Sequence, residues 1–246
     1  MSDSLTFEPS STSSSRDTRI RTASAFYLGY AGLLLLLMIA GFGPSFFFRP
    51  LFDLEPLPAS TLAHGVALTG WFVVFLAQAW LARRGQLRMH RSLGIAGVTI
   101  AVVGTVGFVW LALDLFFQRP LDGDAVNRTR LVRELTVFAA FPTLAGLAVR
   151  FRRRADSHKR LMLLASISLA APSVNRLFGW PAEIWPVLDV IPRVPATLST
   201  IAALLAATVL HDLLTRGRVH PAFGWGAPGY FAWLIGTGFI VPAIMT

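Results

Sequence analysis

The sequence contains no cysteine, a single lysine and few charged residues, since only 14% of its 246 residues are Asp, Glu, Lys or Arg. The absence of cysteine excludes disulfides, iron–sulfur clusters, thiolate zinc sites, covalently attached c-type haem and a cysteine nucleophile. Soluble globular domains carry about 25% charged residues, so the low charge is atypical of a water-soluble fold. The composition therefore predicts a membrane protein.

Two functional motifs are absent as well. No glycine-rich phosphate-binding loop of the GxxxxGK type occurs, and the last apolar stretch has no lysine to hold retinal as a Schiff base. We find no strong catalytic constellation in the sequence. We therefore assign no catalytic residue, and the sequence favours a non-catalytic protein without deciding whether the chain is an enzyme.

Long apolar stretches make up most of the chain, which is 54% hydrophobic and has a mean hydropathy of +0.59. A helix needs about 20 apolar residues to cross the hydrocarbon core of a bilayer. Seven stretches approach or exceed this length, at about 24–48, 63–82, 93–117, 131–149, 161–180, 195–214 and 225–245. We therefore predict an all-α, polytopic transmembrane helical bundle that forms one domain, 24–246. Residues 1–23 are serine-rich and predict a disordered cytoplasmic tail.

The basic residues lie mostly on one side of the predicted spans. Fifteen of the 22 Lys and Arg residues fall on the same side as the N-terminus, and seven fall on the other. Because basic connections are retained in the cytoplasm, we predict a multi-pass protein of the bacterial inner membrane with a cytoplasmic N-terminus and a periplasmic C-terminus. The formal charge of +9 is divided among short clusters beside apolar stretches. This pattern favours membrane lipids as partners, through anionic headgroups at the inner leaflet, over nucleic acid.

The third predicted span is rich in small residues, with Gly94, Gly97, Gly104 and Gly107. Small residues at such spacings let helices approach closely within a membrane. We therefore expect this span to lie at the centre of the bundle.

Ionisable side chains inside a bilayer are costly and usually face a partner or a polar cavity. One set lies towards the periplasmic ends of four spans, and we name it the outer cluster: His64, Asp114, Glu134, Asn175 and Arg176. The functional interpretation is a polar cavity that binds an anion, a proton or a ligand headgroup. The structural interpretation is an Asp114–Arg176 ion pair that locks two helices, with His64 hydrogen-bonded to the backbone.

A second set lies at the cytoplasmic ends of the spans, and we name it the inner cluster: His90, Asp156, His158, His211, Asp212 and His220. Imidazoles and carboxylates are ligands of first-row metals, and two histidines can also be the axial ligands of a b-type haem. Against both, the cluster has no two histidines one turn apart on one helix, and His90 and His158 lie in basic sequence. The structural interpretation is that these side chains contact lipid phosphates.

Two short motifs suggest a relationship to other proteins. The first is QLRMHRSLG at 86–94, which contains His-Arg-x-Leu-Gly, and the second is DSHKRLM at 156–162, which contains His-Lys-x-x-Met. With His64, Gln78 and Asn175–Arg176, they resemble a bacterial family of uncharacterised multi-pass proteins predicted to lie in the inner membrane. The resemblance covers the second to fifth spans and implies no activity. It implies a role for four residues: His64, His90, His158 and Arg176.

A more distant likeness is to the b561-type cytochromes, whose helical bundles hold haem between pairs of histidines. That pattern needs two histidines at each face of the membrane, whereas the outer cluster has only His64. The likeness therefore implies at most one haem, held by the inner cluster.

Three functional hypotheses follow. The first is an integral membrane protein that serves as an accessory or structural subunit of a larger complex, with other membrane-protein subunits as partners. The second is a b-type haem- or metal-binding redox protein that uses the inner cluster. The third is a proton-coupled or small-solute transporter that uses the outer cluster, although the inverted repeats common in transporters are not evident.

Overall fold

A computed structural model describes residues 11–117, 124–180 and 191–245, with side chains described within 25–117, 128–180 and 191–239. Within these residues the regular structure is helical, without strands, which confirms the predicted all-helical fold. The seven α-helices are α1 (Ser11–Phe42), α2 (Ala59–Arg83), α3 (Leu87–Phe117), α4 (Asp124–Arg150), α5 (Ala155–Leu177), α6 (Arg193–Arg216) and α7 (Pro221–Met245). Helix α1 includes residues 11–23, which we had predicted to belong to a disordered tail.

Five of the helical segments are long and apolar enough to cross a membrane. They are Ala25–Phe47, Ala59–Arg83, Leu87–Phe117, Arg128–Arg150 and Arg193–Arg216. Two of the seven predicted spans, 161–180 and 225–245, are not among these five. Helix α5 has charged residues near both of its ends, which lower its mean hydropathy, and the side chains of α7 beyond Phe239 lie outside the described residues.

Turn residues define several of the helix ends. Gly85 and Gly217 both have φ +69°, the left-handed conformation that glycine adopts without steric cost and that commonly follows a helix. Pro221 occupies the first position of α7, where its missing N–H needs no helical partner. The connections that follow α2, α4 and α6 are only three or four residues long. Such short connections make the helices they join antiparallel neighbours.

Helix α5 occupies the centre of the bundle. It packs against α1, α4, α6 and α7, and Trp71 of α2 reaches it through a hydrogen bond. The other six helices contact one another in the order α1, α2, α3, α4, α7, α6, and α6 closes the ring on α1. Thirteen residues of α5 are buried, and the apolar ones include Leu163, Leu164, Ile167 and Val174. A central helix of this kind is shielded from lipid by its neighbours.

Helix α3 lies at the edge of the bundle, so the expectation that we drew from its glycines is wrong. Only 11% of its apolar stretch is buried inside the protein. Its small residues do admit a close neighbour on one face, because a Cβ at Gly97 would lie 3.3 Å from a side-chain carbon of Val74. A Cβ at Gly107 would have no such neighbour within 4 Å among the described residues. The glycines therefore indicate a tight contact with α2 and not a central position.

Aromatic side chains with a polar tip connect the helices inside the bundle. Trp71 of α2 donates its indole N–H to the hydroxyl of Ser166 at 3.2 Å. The hydroxyl of Tyr30 donates to the carbonyl of Leu204, which joins α1 to α6. Buried indole and phenol groups normally find such partners, because an unpaired polar atom in a low-dielectric interior is costly.

Helix α1 approaches the backbone of α5 closely at Gly41. A Cβ built at Gly41 would overlap the carbonyl group of Ser173, a contact with backbone that no side-chain rotation can relieve. One residue further on the α-helix ends, and the π-helical segment Gly43–Phe47 continues the chain with Pro44 in its first turn. Proline is tolerated there because it lies in the first turn of the new segment, where its missing N–H needs no helical partner.

We expect Gly41→Ala to destabilise the protein, because the added methyl group must separate α1 from α5. Overpacking of this kind costs about 1–3 kcal/mol. The measurement is the apparent melting temperature of the detergent-purified protein, followed by size-exclusion chromatography after heating. Gly29→Ala is the matched control, because a Cβ there meets nothing within 4 Å. Equal melting temperatures for the two variants would contradict the close α1–α5 contact.

Candidate functional site

The residues of the inner cluster lie at one end of the bundle, which we name the arginine-rich end. The connections α2–α3, α4–α5 and α6–α7 meet there, together with the start of the apolar part of α1. Contacts link the members in two groups. Asp156, Asp212 and His220 lie around Arg160, whereas His90 and His158 face each other.

A buried ion pair between Arg160 of α5 and Asp212 of α6 is the strongest polar contact at this end. The side chains of both residues are almost inaccessible, at 2% and 0% exposure. The Nε atom of Arg160 donates to both carboxylate oxygens of Asp212, at 3.1 and 2.9 Å, and its Nη2 atom donates to Oδ1. Such bidentate geometry is the form in which a guanidinium and a carboxylate compensate for the loss of water.

The same carboxylate also fixes the start of α7. Oδ2 of Asp212 accepts the backbone N–H of His220 at 2.9 Å. The Nδ1 atom of His220 in turn accepts the backbone N–H of Ala222 at 3.1 Å, as an N-capping side chain does. Burial lowers the pKa of His220, which keeps the imidazole in the neutral form that can accept this bond. Asp212 therefore joins α5, α6 and α7.

Asp156, at the start of α5, collects three cations at the rim of the arginine-rich end. It lies 2.7 Å from Lys159, 3.2 Å from Arg160 and 3.3 Å from Arg216 of α6. The hydrogen bond from Lys159 holds the pKa of the Asp156 carboxyl well below its usual range, so this group stays ionised. One carboxylate thus serves three positive side chains and leaves an excess of positive charge.

His211 lies on the other side of α6 and packs against α1. Its ring stacks on that of Phe26, with centroids 3.8 Å apart and planes 4° from parallel. The neighbouring Tyr27 ring faces the ammonium group of Lys159 at 5.4 Å, a cation–π geometry. The hydroxyl of Tyr27 is buried and has no hydrogen-bond partner in the part of the chain that the structure describes.

His90 of α3 and His158 of α5 bring the two sequence motifs together. Their ring centroids are 6.3 Å apart and the ring planes are nearly perpendicular. Nδ1 of His90 lies 3.3 Å from the carbonyl oxygen of Gln78, and Nδ1 of His158 lies 2.9 Å from that of Ala148. Each motif histidine is therefore bound to the end of the preceding helix.

An open cleft of about 540 Å³ lies between the starts of α5 and α7 at this end. It is lined by Arg154, Ala155, Asp156, Ser157, His220 and Pro221. Its wall therefore combines a guanidinium, a hydroxyl and an imidazole with one carboxylate that is already paired. The arrangement suits an anion that hydrogen-bonds to several donors.

The inner cluster does not form a single metal centre. Among the described residues, no three His, Asp or Glu side chains come together in a group that could hold a metal ion. The carboxylates of Asp156 and Asp212 are engaged by Arg and Lys, and His211 is engaged by aromatic rings. The histidines that lie close enough to share a ligand are His90 and His158.

The outer cluster does not converge on one cavity. Glu134 accepts a hydrogen bond from Arg130 on its own helix, at 2.7 Å. Asn175 accepts hydrogen bonds from Arg193, at 2.8 Å to its backbone oxygen and 3.2 Å to its side chain. Arg176 places its guanidinium carbon 4.8 Å from the ring centre of Phe42. The salt bridges found among the described residues do not include an Asp114–Arg176 pair.

His64 lies on the wall of a small apolar cavity between α2, α3, α4 and α5. The cavity has a volume of about 20 Å³, room for about one water molecule, and its lining includes Trp71 and Phe138. The ring of His64 faces that of Phe108 with centroids 5.5 Å apart. Its Nδ1 atom is buried and meets no partner in the described part of the chain, in contrast to the backbone hydrogen bond that we had considered.

Arg154, Ser157 and Arg160 are site residues that the sequence alone did not identify. The two arginines belong to the basic segments that indicate the orientation, and none of the three is a member of the inner cluster. Arg160 lies five residues after the start of α5, and Asp212 lies four residues before the end of α6. Opposite charges at equal depth on two antiparallel helices are the signal that could have identified the pair.

No family model, curated protein or solved structure matches the chain. The resemblances that we drew from the two motifs therefore stay predictions. The fold and the composition define the class of protein, an all-helical bundle with five helices long and apolar enough to cross a membrane.

We expect Arg160→Met and Asp212→Asn each to destabilise the protein strongly, because each leaves the other charge buried without its partner. Breaking a buried ion pair in this way costs about 3–5 kcal/mol. The double variant Arg160→Met/Asp212→Asn removes both charges and should recover most of the loss, since Asn still accepts the His220 N–H. The measurement is the unfolding midpoint in detergent, with Arg153→Met at an exposed position as the control. Additive losses in the double variant would contradict a coupled pair.

Proposed function

We propose that the chain is a seven-span protein of the bacterial inner membrane that binds anionic phosphate headgroups at its arginine-rich end and serves as a non-catalytic, accessory subunit. In this arrangement the N-terminus is cytoplasmic and the C-terminus is periplasmic. The observation that carries the proposal is the cationic cleft between the starts of α5 and α7.

The membrane location is supported by the surface of the bundle. Large apolar side chains are exposed along α3, among them Ile95, Val102, Val106 and Trp110. Such a continuous apolar surface is expected to face lipid and not water. The proposal adds α5 and α7 to the five helices that are long and apolar enough to cross the membrane. Helix α5 is included because it lies at the centre of these helices.

The cleft supports recognition of a phosphate group. Arg154 lines it and Lys159 and Arg216 flank it, while the one carboxylate on its wall is neutralised by three cations. The first turns of α5 and α7 both begin beside it, and the positive end of a helix dipole favours a bound anion. The predicted orientation places these groups at the anionic inner leaflet.

An accessory role is supported by the interior of α5. Between Arg160 and Arg176 its buried side chains are aliphatic or carry a small hydroxyl group, as in Ser166 and Ser168, which donate to carbonyls of their own helix. A transport path needs polar groups through the middle of the bundle, and this apolar layer disfavours one. The redox alternative is favoured by a different observation, the His90–His158 contact.

The orientation can be tested directly, because the chain has no cysteine and any introduced thiol is unique. We expect Glu55→Cys, in the exposed α1–α2 connection, to react in intact cells with a maleimide that cannot cross the inner membrane. Arg153→Cys, in the exposed α4–α5 connection, should react only after the membrane is permeabilised. The opposite pattern would overturn the proposed orientation.

The lipid site is tested by titrating the purified protein, in a neutral detergent, with phosphatidylglycerol or phosphatidylcholine and following the apparent melting temperature. We expect only phosphatidylglycerol to stabilise the protein. Arg154→Gln should weaken this response about fivefold, because a basic side chain at an anionic lipid surface contributes about 1 kcal/mol. Arg133→Gln, near the opposite end of the bundle, is the control. Equal responses to the two lipids, or equal effects of the two variants, would contradict the proposal.

A further inference from the structure

The His90–His158 contact carries an inference that is independent of lipid binding. The two rings belong to different helices, α3 and α5, and their centroids are 6.3 Å apart. Both residues are only partly buried. Two imidazoles that approach each other at one end of a bundle can share a ligand.

The backbone contacts determine which nitrogen of each ring is available. A carbonyl oxygen can only accept a hydrogen bond, so Nδ1 of each histidine must carry the proton in its contact with Gln78 or Ala148. In the neutral ring, Nε2 then holds a free lone pair. Neither Nε2 atom makes a hydrogen bond within the described residues. Histidines that bind a metal ion through one ring nitrogen usually donate the N–H of the other nitrogen to a backbone carbonyl or a carboxylate in this way.

The spacing of the rings is close to that of two ligands on one metal ion. Two imidazole nitrogens that each lie about 2.0–2.1 Å from one ion leave their ring centres roughly 5 to 6 Å apart, so the two rings, at 6.3 Å, must move slightly closer to bind it together. Gln78, whose backbone carbonyl contacts Nδ1 of His90, also carries a side-chain oxygen that is buried without a partner in the described structure. The amide nitrogen of Gln78 would lie 3.3 Å from a Cβ at Gly94, one turn beyond His90 on α3.

The basic residues around the two motifs repel a cation less in the folded protein than the linear sequence suggests. Arg160 is paired with Asp212, and Lys159 is paired with Asp156. The arginines beside His90, Arg88 and Arg91, are exposed to solvent, where their charge is screened. The repulsion that we had counted against a metal is therefore reduced.

We infer that His90 and His158 bind one divalent first-row transition-metal ion, such as zinc, through their Nε2 atoms, with Gln78 as a neighbouring oxygen donor. Imidazole nitrogen favours zinc, copper or nickel over calcium and magnesium, which take oxygen ligands. The remaining positions are open to water or to an external ligand. The ion would tie α3, at the edge of the bundle, to the central α5.

The test uses the full-length protein, purified in detergent with a histidine-free affinity tag and stripped of metal by a chelator. Equilibrium dialysis against Zn²⁺ with elemental analysis should give one ion per chain. We expect His90→Gln and His158→Gln each to weaken Zn²⁺ binding about a hundredfold. Loss of a group that only orients a metal ligand already weakens metal affinity about 10- to 100-fold, and loss of a ligand itself should cost at least as much. His211→Gln, whose ring stacks on Phe26, is the matched control and should bind as the parent does.

A second readout guards against variants that do not fold. Zn²⁺ should raise the apparent melting temperature of the parent protein and of His211→Gln, and it should leave His158→Gln unchanged. Co²⁺ should give visible absorption bands that Zn²⁺ displaces. Absence of saturable Zn²⁺ binding in the parent, or equal losses in all three variants, would overturn the inference. A Soret band in the purified protein that is lost in His90→Gln would also overturn it, in favour of haem.

Discussion

The ion pair between Arg160 and Asp212 is the contact on which the arrangement of the helices depends. It joins α5 to α6, and the same carboxylate fixes the first turn of α7 through the His220 N–H. A charge that is buried without its partner is among the most costly defects that a protein can hold. The pair therefore favours the observed arrangement of α5, α6 and α7 over packings that would leave either charge buried alone.

The two ends of the bundle are built differently. At the arginine-rich end, charged and capping contacts connect α5, α6 and α7, and stacked rings attach α1. At the opposite end Arg176 lies over the Phe42 ring, Arg193 donates to Asn175, and His64 lies against a small apolar cavity. This division explains why both proposals, for a phosphate group and for a metal ion, concern the same end of the molecule.

Much of the fold could be predicted from apolar length alone, since hydrocarbon thickness determines how long a span must be. The position of the inner-cluster residues at one end of the bundle could also be predicted, because these residues lie in or beside short, basic connections. The position of each helix within the bundle could not be predicted, because depth along a helix does not determine which way a side chain points. For this reason the expected Asp114–Arg176 pair was not found, and α3 was placed at the centre instead of α5.

The enclosure of α5 has a consequence for how the chain is made. Ribosomes deliver helices in order, so α5 leaves the ribosome before α6 and α7, which later cover it. Arg160 is therefore synthesised before its partner Asp212, which lies 52 residues further along the chain. Until Asp212 has been synthesised, the guanidinium must be stabilised in another way, by the insertion machinery, by lipid headgroups or by Asp156. The bundle therefore reaches its final packing only after its last two helices have been synthesised, and truncation before α6 leaves one side of the central helix uncovered.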